Sequence, residues 1–123
     1  MSFLSNDIEL NQKIKGKVIA SASSDLKTFA MKFEDGTGLL VEAGFDPQNP
    51  LINLRLVMED SIPNIGDAVC KVSWGWITAS AIESASTVLG AIEFRLSPAG
   101  PLAIRAQVYQ GSTFLSFMPY KGA

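Results

Sequence analysis

The sequence contains no histidine and a single cysteine, Cys70. The first absence removes the commonest general base, the commonest metal ligand and the usual near-neutral pH switch. Without histidine, neither a Ser-His-Asp nor a Cys-His catalytic arrangement can be built. A lone cysteine excludes an intrachain disulfide and a cysteine-based zinc cluster. Basic residues are also scarce: ten Lys and Arg stand against twelve Asp and Glu, giving a net charge of -2 and a pI near 5.0. No basic excess exists to neutralise a phosphate backbone, so nucleic acid is not an expected partner. The glycines form no P-loop, dinucleotide fingerprint or Gly-x-Ser-x-Gly elbow,. The longest uncharged run, Ala106 to Tyr120, is fifteen residues and holds Gln, Gly, Ser and Thr. A membrane-spanning helix needs about 18 or more apolar residues, so no membrane partner is expected. The first residues, Met1 to Asp7, have neither the basic nor the apolar region of a secretory signal,. A soluble, cytoplasmic protein is the resulting expectation.

What is present is apolar surface. Of 123 residues, 47% are apolar and 18% charged, enough to offset chain entropy and exclude disorder. The length is that of one ordinary domain, spanning 1–123,. Asn6 and Glu9 have capping-box spacing, Leu4 and Ile8 can staple a first helical turn, and Gly16 is a stop. A short N-terminal helix is expected there, with a strand starting near Gln12 as the rival. From Ile14 the period falls to two: Ile14, Gly16, Val18 and Ala20 alternate with Lys13, Lys15 and Lys17,. This reads as a half-buried edge strand guarded by lysines.

The strongest local signal is Phe29-x-Met31-x-Phe33, Asp35-Gly36-Thr37-Gly38, then Leu39-x-Val41-x-Ala43. It predicts a hairpin with Gly38 in the left-handed region, Phe33 facing Val41, and Lys32 facing Glu42. Leu51 to Met58 alternates as a strand, and Asp67 to Ile77 as another, with Trp74 and Trp76 on one side. Thr78 to Leu89 is ambiguous. Ser80 and Glu83 can cap a helix, but β-branched residues and three serines oppose it,. The preferred reading is a strand to about Ile82, a turn at Ser84-Ala85-Ser86, and a new strand from Thr87. The last third alternates as a meander. Pairing Leu96 with Leu102 would set Glu93 opposite Arg105, and a type II′ turn at Gly111 would set Tyr109 beside Phe114. About eight strands with regular turn signals predict an all-β antiparallel barrel or sandwich. The alternative is α+β, with a helix near Ser80–Leu89.

Candidate sites are few. Ser24-Asp25-Leu26-Lys27 matches Ser-x-x-Lys, but with thirteen serines and seven lysines one match is expected by chance,. Glu59 and Asp60 are adjacent in a loop with Asp67 nearby, yet their spacing matches no known ion loop,. Cys70 falls on an inner strand side, as an inert buried thiol would. Trp74 and Trp76 can line an apolar ligand cavity, with Arg55 as polar anchor, or they can fill the core. Alternation pushes Tyr109, Phe114 and Met118 outward, with Leu89 and Ala91 on the same side of the preceding strand. An outer apolar patch marks a partner surface, and the commonest partner is a second copy. The expected function is therefore a non-catalytic, self-associating interaction module with no cofactor and no metal. A small apolar-ligand-binding β-barrel is the alternative, and a carboxylate-dependent enzyme is the weaker one.

Overall fold

Two bulged strands and one docked helix decide how the chain is layered. In the computed structural model, residues 7–44, 52–62, 74–88 and 90–119 are described. Their elements are α1 (Asp7–Ile14), β1 (Ile19–Ser24), β2 (Thr28–Phe33), β3 (Thr37–Ala43), β4 (Ile52–Met58), β5 (Ala81–Val88), β6 (Ala91–Ser97), β7 (Gly100–Tyr109) and β8 (Ser112–Met118). Short 3-10 turns occupy Glu59–Ser61 and Gly75–Ile77. The strands form two antiparallel four-stranded sheets, ordered β1-β2-β3-β4 and β5-β6-β7-β8. The ladders do not close into a barrel, so of the two expected all-β architectures the chain adopts the sandwich. No helix among the described residues is long and apolar enough to cross a membrane.

The core lies between the sheets. Phe29, Met31, Leu39, Val41 and Leu54 face it from the first sheet. Ile82, Ala85, Ile92, Phe94, Leu96, Leu102, Ile104, Leu115 and Phe117 face it from the second. Leu10 and Ile14 of α1 are fully buried with them, so the helix plugs the layer rather than lying on its surface. Burying each such side chain contributes about 1.5–3 kcal/mol relative to exposure.

The N-terminal helix is as expected, with the chain turning at Gly16; Leu4 and Asn6 lie outside the described residues. The lysine-edged strand is not formed as read. Ile14 ends the helix, β1 begins only at Ile19, and Lys13, Lys15 and Lys17 sit on the helix and its connector. Alternation misled here because Ile14 is the buried last residue of the helix and Lys15 to Val18 connect it to β1; within β1 the ladder also shifts, between Ile19 and Ser21. The extra residue, Ala20, is exposed, and Ile19 and Ala22 both turn to the core,. The same device operates in β5, where the ladder shifts between Ile82 and Ser84. Glu83 is exposed, and Ile82 and Ala85 both point inward at a spacing of three. That spacing imitates a helix in sequence. The region is one continuous strand, with neither the helix nor the turn at Ser84-Ala85-Ser86; Leu89 lies outside the described residues.

Lys17 to Ile19 stitches the two sheets at one corner. Val18 O accepts from Glu34 N at 2.9 Å, and Lys17 O accepts from Ile82 N at 3.0 Å. At the far side Leu115 N donates to Leu26 O at 2.8 Å, tying β8 to the β1–β2 turn.

Three hairpin registers differ from expectation, each by a multiple of two, so faces are kept and partners change. Phe29 faces Val41 and Met31 faces Leu39, while Lys32 is opposite Gly38 rather than Glu42. The tight turn uses Gly36 at φ +88, and Gly38 lies within β3. In β6–β7, Leu96 pairs with Gly100 and Glu93 with Ala103, so Glu93 and Arg105 are not directly opposite. In β7–β8 the two-residue turn is Gln110-Gly111, both at positive φ, +50 and +78. That is the type I′ geometry, whose twist suits a hairpin. Tyr109 consequently pairs with Ser112, and Phe114 with Gln107.

Candidate interaction surface

Trp74 and Trp76 do not lie on a strand. Trp74 precedes the 3-10 turn Gly75–Ile77, which contains Trp76; residues 63–73, including Asp67 and Cys70, lie outside the described residues. Trp74 is buried, edge-on to Phe29 at 4.8 Å and to Phe117 at 5.0 Å between ring centroids. Its indole Nε1 donates to Ser24 Oγ at 2.9 Å. Trp76, half-buried, stacks on Trp74 at 6.4 Å. This is a core cluster joining both sheets through Phe29 and Phe117. Arg55 does not converge on it. Arg55 sits on the opposite face of the first sheet, where its guanidinium donates twice to Glu42 Oε1, at 3.1 and 2.7 Å.

The Ser-x-x-Lys match is taken apart by the fold. Ser24 is buried beneath Trp74, whereas Lys27 is exposed on a turn held by Asp25, whose Oδ1 accepts from Lys27 N and Thr28 N. Asp60 is exposed, and the side chains of Glu59 and Asp67 are outside the described residues. Among the described residues, no three His, Cys, Asp or Glu side chains gather as a metal site.

A groove of about 520 Å³ opens where the sheets are stitched, lined by Lys15, Gly16, Lys17, Val18, Glu34 and Asp35. Its central charges are already committed. Lys17 pairs with Asp35, donates to Thr37 Oγ1 at 3.0 Å, and lies 5.6 Å from the Phe33 ring centre. The Lys17 ammonium, then the Thr37 hydroxyl and amide, lower the Asp35 pKa to about 2.

The outer face of the second sheet is different. Its ladder partners form rows across the strands: Ser84, Arg95 and Pro101; then Ser86, Glu93, Ala103 and Met118; then Val88, Ala91, Arg105 and Ser116; then Gln107 and Phe114. Met118 is 74% exposed and Val88 67%. Phe114 is half-buried, and the Tyr109 side chain lies outside the described residues. The expected patch therefore holds Met118 and Phe114 but is interrupted by Ser116 and Arg105. Ala91 belongs to this face and is buried low on it. The parity of Val88 was hidden in sequence, because it depends on Val88 pairing directly with Ala91. Comparisons of the chain with protein-family models, with curated proteins and with solved structures found no match.

Proposed function

We propose that this chain is a non-catalytic interaction module that associates with itself through the outer face of the β5–β8 sheet. The carrying observation is the exposure of Met118 and Val88 at opposite ends of that face, with Phe114 half-buried beside it. Large apolar side chains left in water on a sheet face gain about 1.5–3 kcal/mol each when covered, less the cost of association. No cofactor enters this reading, and it places the protein in the cytoplasm. The ligand-barrel alternative has less support, because Trp74 fills the core and Arg55 is held by Glu42 on the other side of the first sheet.

The test is light scattering on the native protein, on Met118→Glu and on Met58→Glu. Met58 is the control, 63% exposed at the end of β4 in the other sheet. The expected result is a native mass that rises with concentration, lowered by Met118→Glu and unchanged by Met58→Glu. A native monomer at high micromolar concentration overturns the proposal, as does loss of association in Met58→Glu alone.

A further inference from the structure

The outer face of the β5–β8 sheet carries more information than its exposed apolar side chains, because its charges are arranged as two halves of one pattern. Glu93 and Arg105 are both exposed and sit diagonally across the centre of the sheet, on β6 and β7. The ion pairs among the described residues are Lys17–Asp35 and Glu42–Arg55, so neither Glu93 nor Arg105 is in one. Strands lie about 4.8 Å apart and same-face residues about 6.6 Å apart along a strand, so their Cα atoms are roughly 8 Å apart.

We infer that the partner of this face is a second copy, docked about a two-fold axis that sets Glu93 of each copy over Arg105 of the other. This rests on the self-association proposed above and adds to it where the axis lies. For two stacked faces, a two-fold axis in the plane between them acts on the residue lattice as a reflection across a line. The line that bisects the Glu93–Arg105 diagonal at right angles passes Ala91 and Ala103 and runs out towards Val88 and Met118. Reflection across it brings Glu93 over the partner's Arg105, and Arg105 over the partner's Glu93. An isologous contact forms every such pair twice. Val88, Ala91, Ala103 and Met118 lie close to the line; Val88, Ala103 and Met118 meet their own counterparts, while Ala91 is already buried beneath them. The two most exposed apolar side chains of the face thus contact apolar groups, and the two alanines leave room at the centre. Arg95 falls over the Ser116 end of the partner's β8, so no charge on the face meets its own sign.

The strands of the two copies then cross at roughly 70°, nearer the orthogonal than the aligned class of sheet packing. The face, four strands by about seven residues, measures roughly 19 by 23 Å. That is below the ~800 Å² per partner of a standard interface, so the contact is of the small, transient class.

The experiment uses Glu93→Arg and Arg105→Glu, with sedimentation velocity at a concentration where the native protein is dimeric. Each single variant sets like charges against each other twice. Each is expected to weaken association at least tenfold while keeping the native circular dichroism. Mixed in equal amounts, the two variants form a heterodimer in which positions 93 and 105 again face each other with opposite charges at both contacts, and the dimer returns. A charge pair acting inside one chain cannot produce that rescue. If a reversed charge unfolds the chain, Glu93→Gln and Arg105→Gln are used, and each is expected to weaken association by a smaller factor. Single variants that dimerise like the native protein overturn the axis but leave self-association standing. Folded single variants that stay monomeric on mixing also overturn the axis. A native monomer overturns both.

Discussion

Asn11 holds Ala85 as a neighbouring strand would. Its Nδ2 donates to Ala85 O at 2.7 Å, and its Oδ1 accepts from Ala85 N at 2.9 Å. β5 is an edge of its sheet, and a free edge invites pairing with another chain. Here one side-chain amide, with Gly16 N donating to Ile82 O and Lys17 O accepting from Ile82 N, occupies it. Asn11→Ala leaves a backbone donor and acceptor of Ala85 unpaired. We expect a loss of about 1–3 kcal/mol in denaturant unfolding. Asn11→Asp keeps the acceptor, loses the donor, and should fall between the two.

Trp74 and Ser24 form the second long-range polar contact of the core. Ser24→Ala strands the indole N–H in a buried site, and Trp74→Phe removes it together with part of the ring. A double-mutant cycle should give a coupling of about 0.5–1.5 kcal/mol. Additive single losses would show that the hydrogen bond contributes nothing to stability.

Gly38 is required for space rather than for backbone conformation. A Cβ there would meet the Ile62 side chain and lie 3.0 Å from Met31 O. Gly38→Ala should therefore destabilise by about 1–3 kcal/mol through overpacking. Ile62→Ala in the same chain should recover part of that loss, visible as coupling in thermal melts. No coupling between positions 38 and 62 would contradict the packing described.

Asp35 has a folded pKa of about 2 against the ordinary 3.8, chiefly because the Lys17 ammonium and then Thr37 hydrogen-bond its carboxylate. A depressed folded pKa stabilises the protein above the unfolded pKa, and that contribution disappears as pH falls through the folded value. The stability advantage of the native protein over Asp35→Asn should be constant above about pH 4. It should shrink between about pH 4 and pH 2. Urea midpoints across that range provide the check, and an advantage that grows on acidification would reverse the assignment.

How far the sequence foretold this fold can be followed residue by residue. Alternation placed Phe29, Met31, Val41, Phe94, Leu102 and Ile104 on inner faces, and all are buried. It did so although three hairpin registers were wrong, because errors of an even number of residues leave the faces intact. The bulges at Ala20 and Glu83 were not legible. Each breaks the period of two at one position, and at Glu83 the result resembles a helix. The Asn11 clamp links positions 74 apart in sequence, and no local pattern announces such a contact. The outer face was half legible. Met118 and Phe114 followed from strand parity, whereas Val88 and the diagonal placement of Glu93 and Arg105 depend on the pairing of Val88 with Ala91 and of Leu96 with Gly100.

Self-association of the sandwich is read by sedimentation equilibrium of the native protein from low to high micromolar concentration. The mass should climb from 13.2 kDa towards twice that value and fit a single monomer–dimer equilibrium. A mass that stays at 13.2 kDa throughout the range would contradict it.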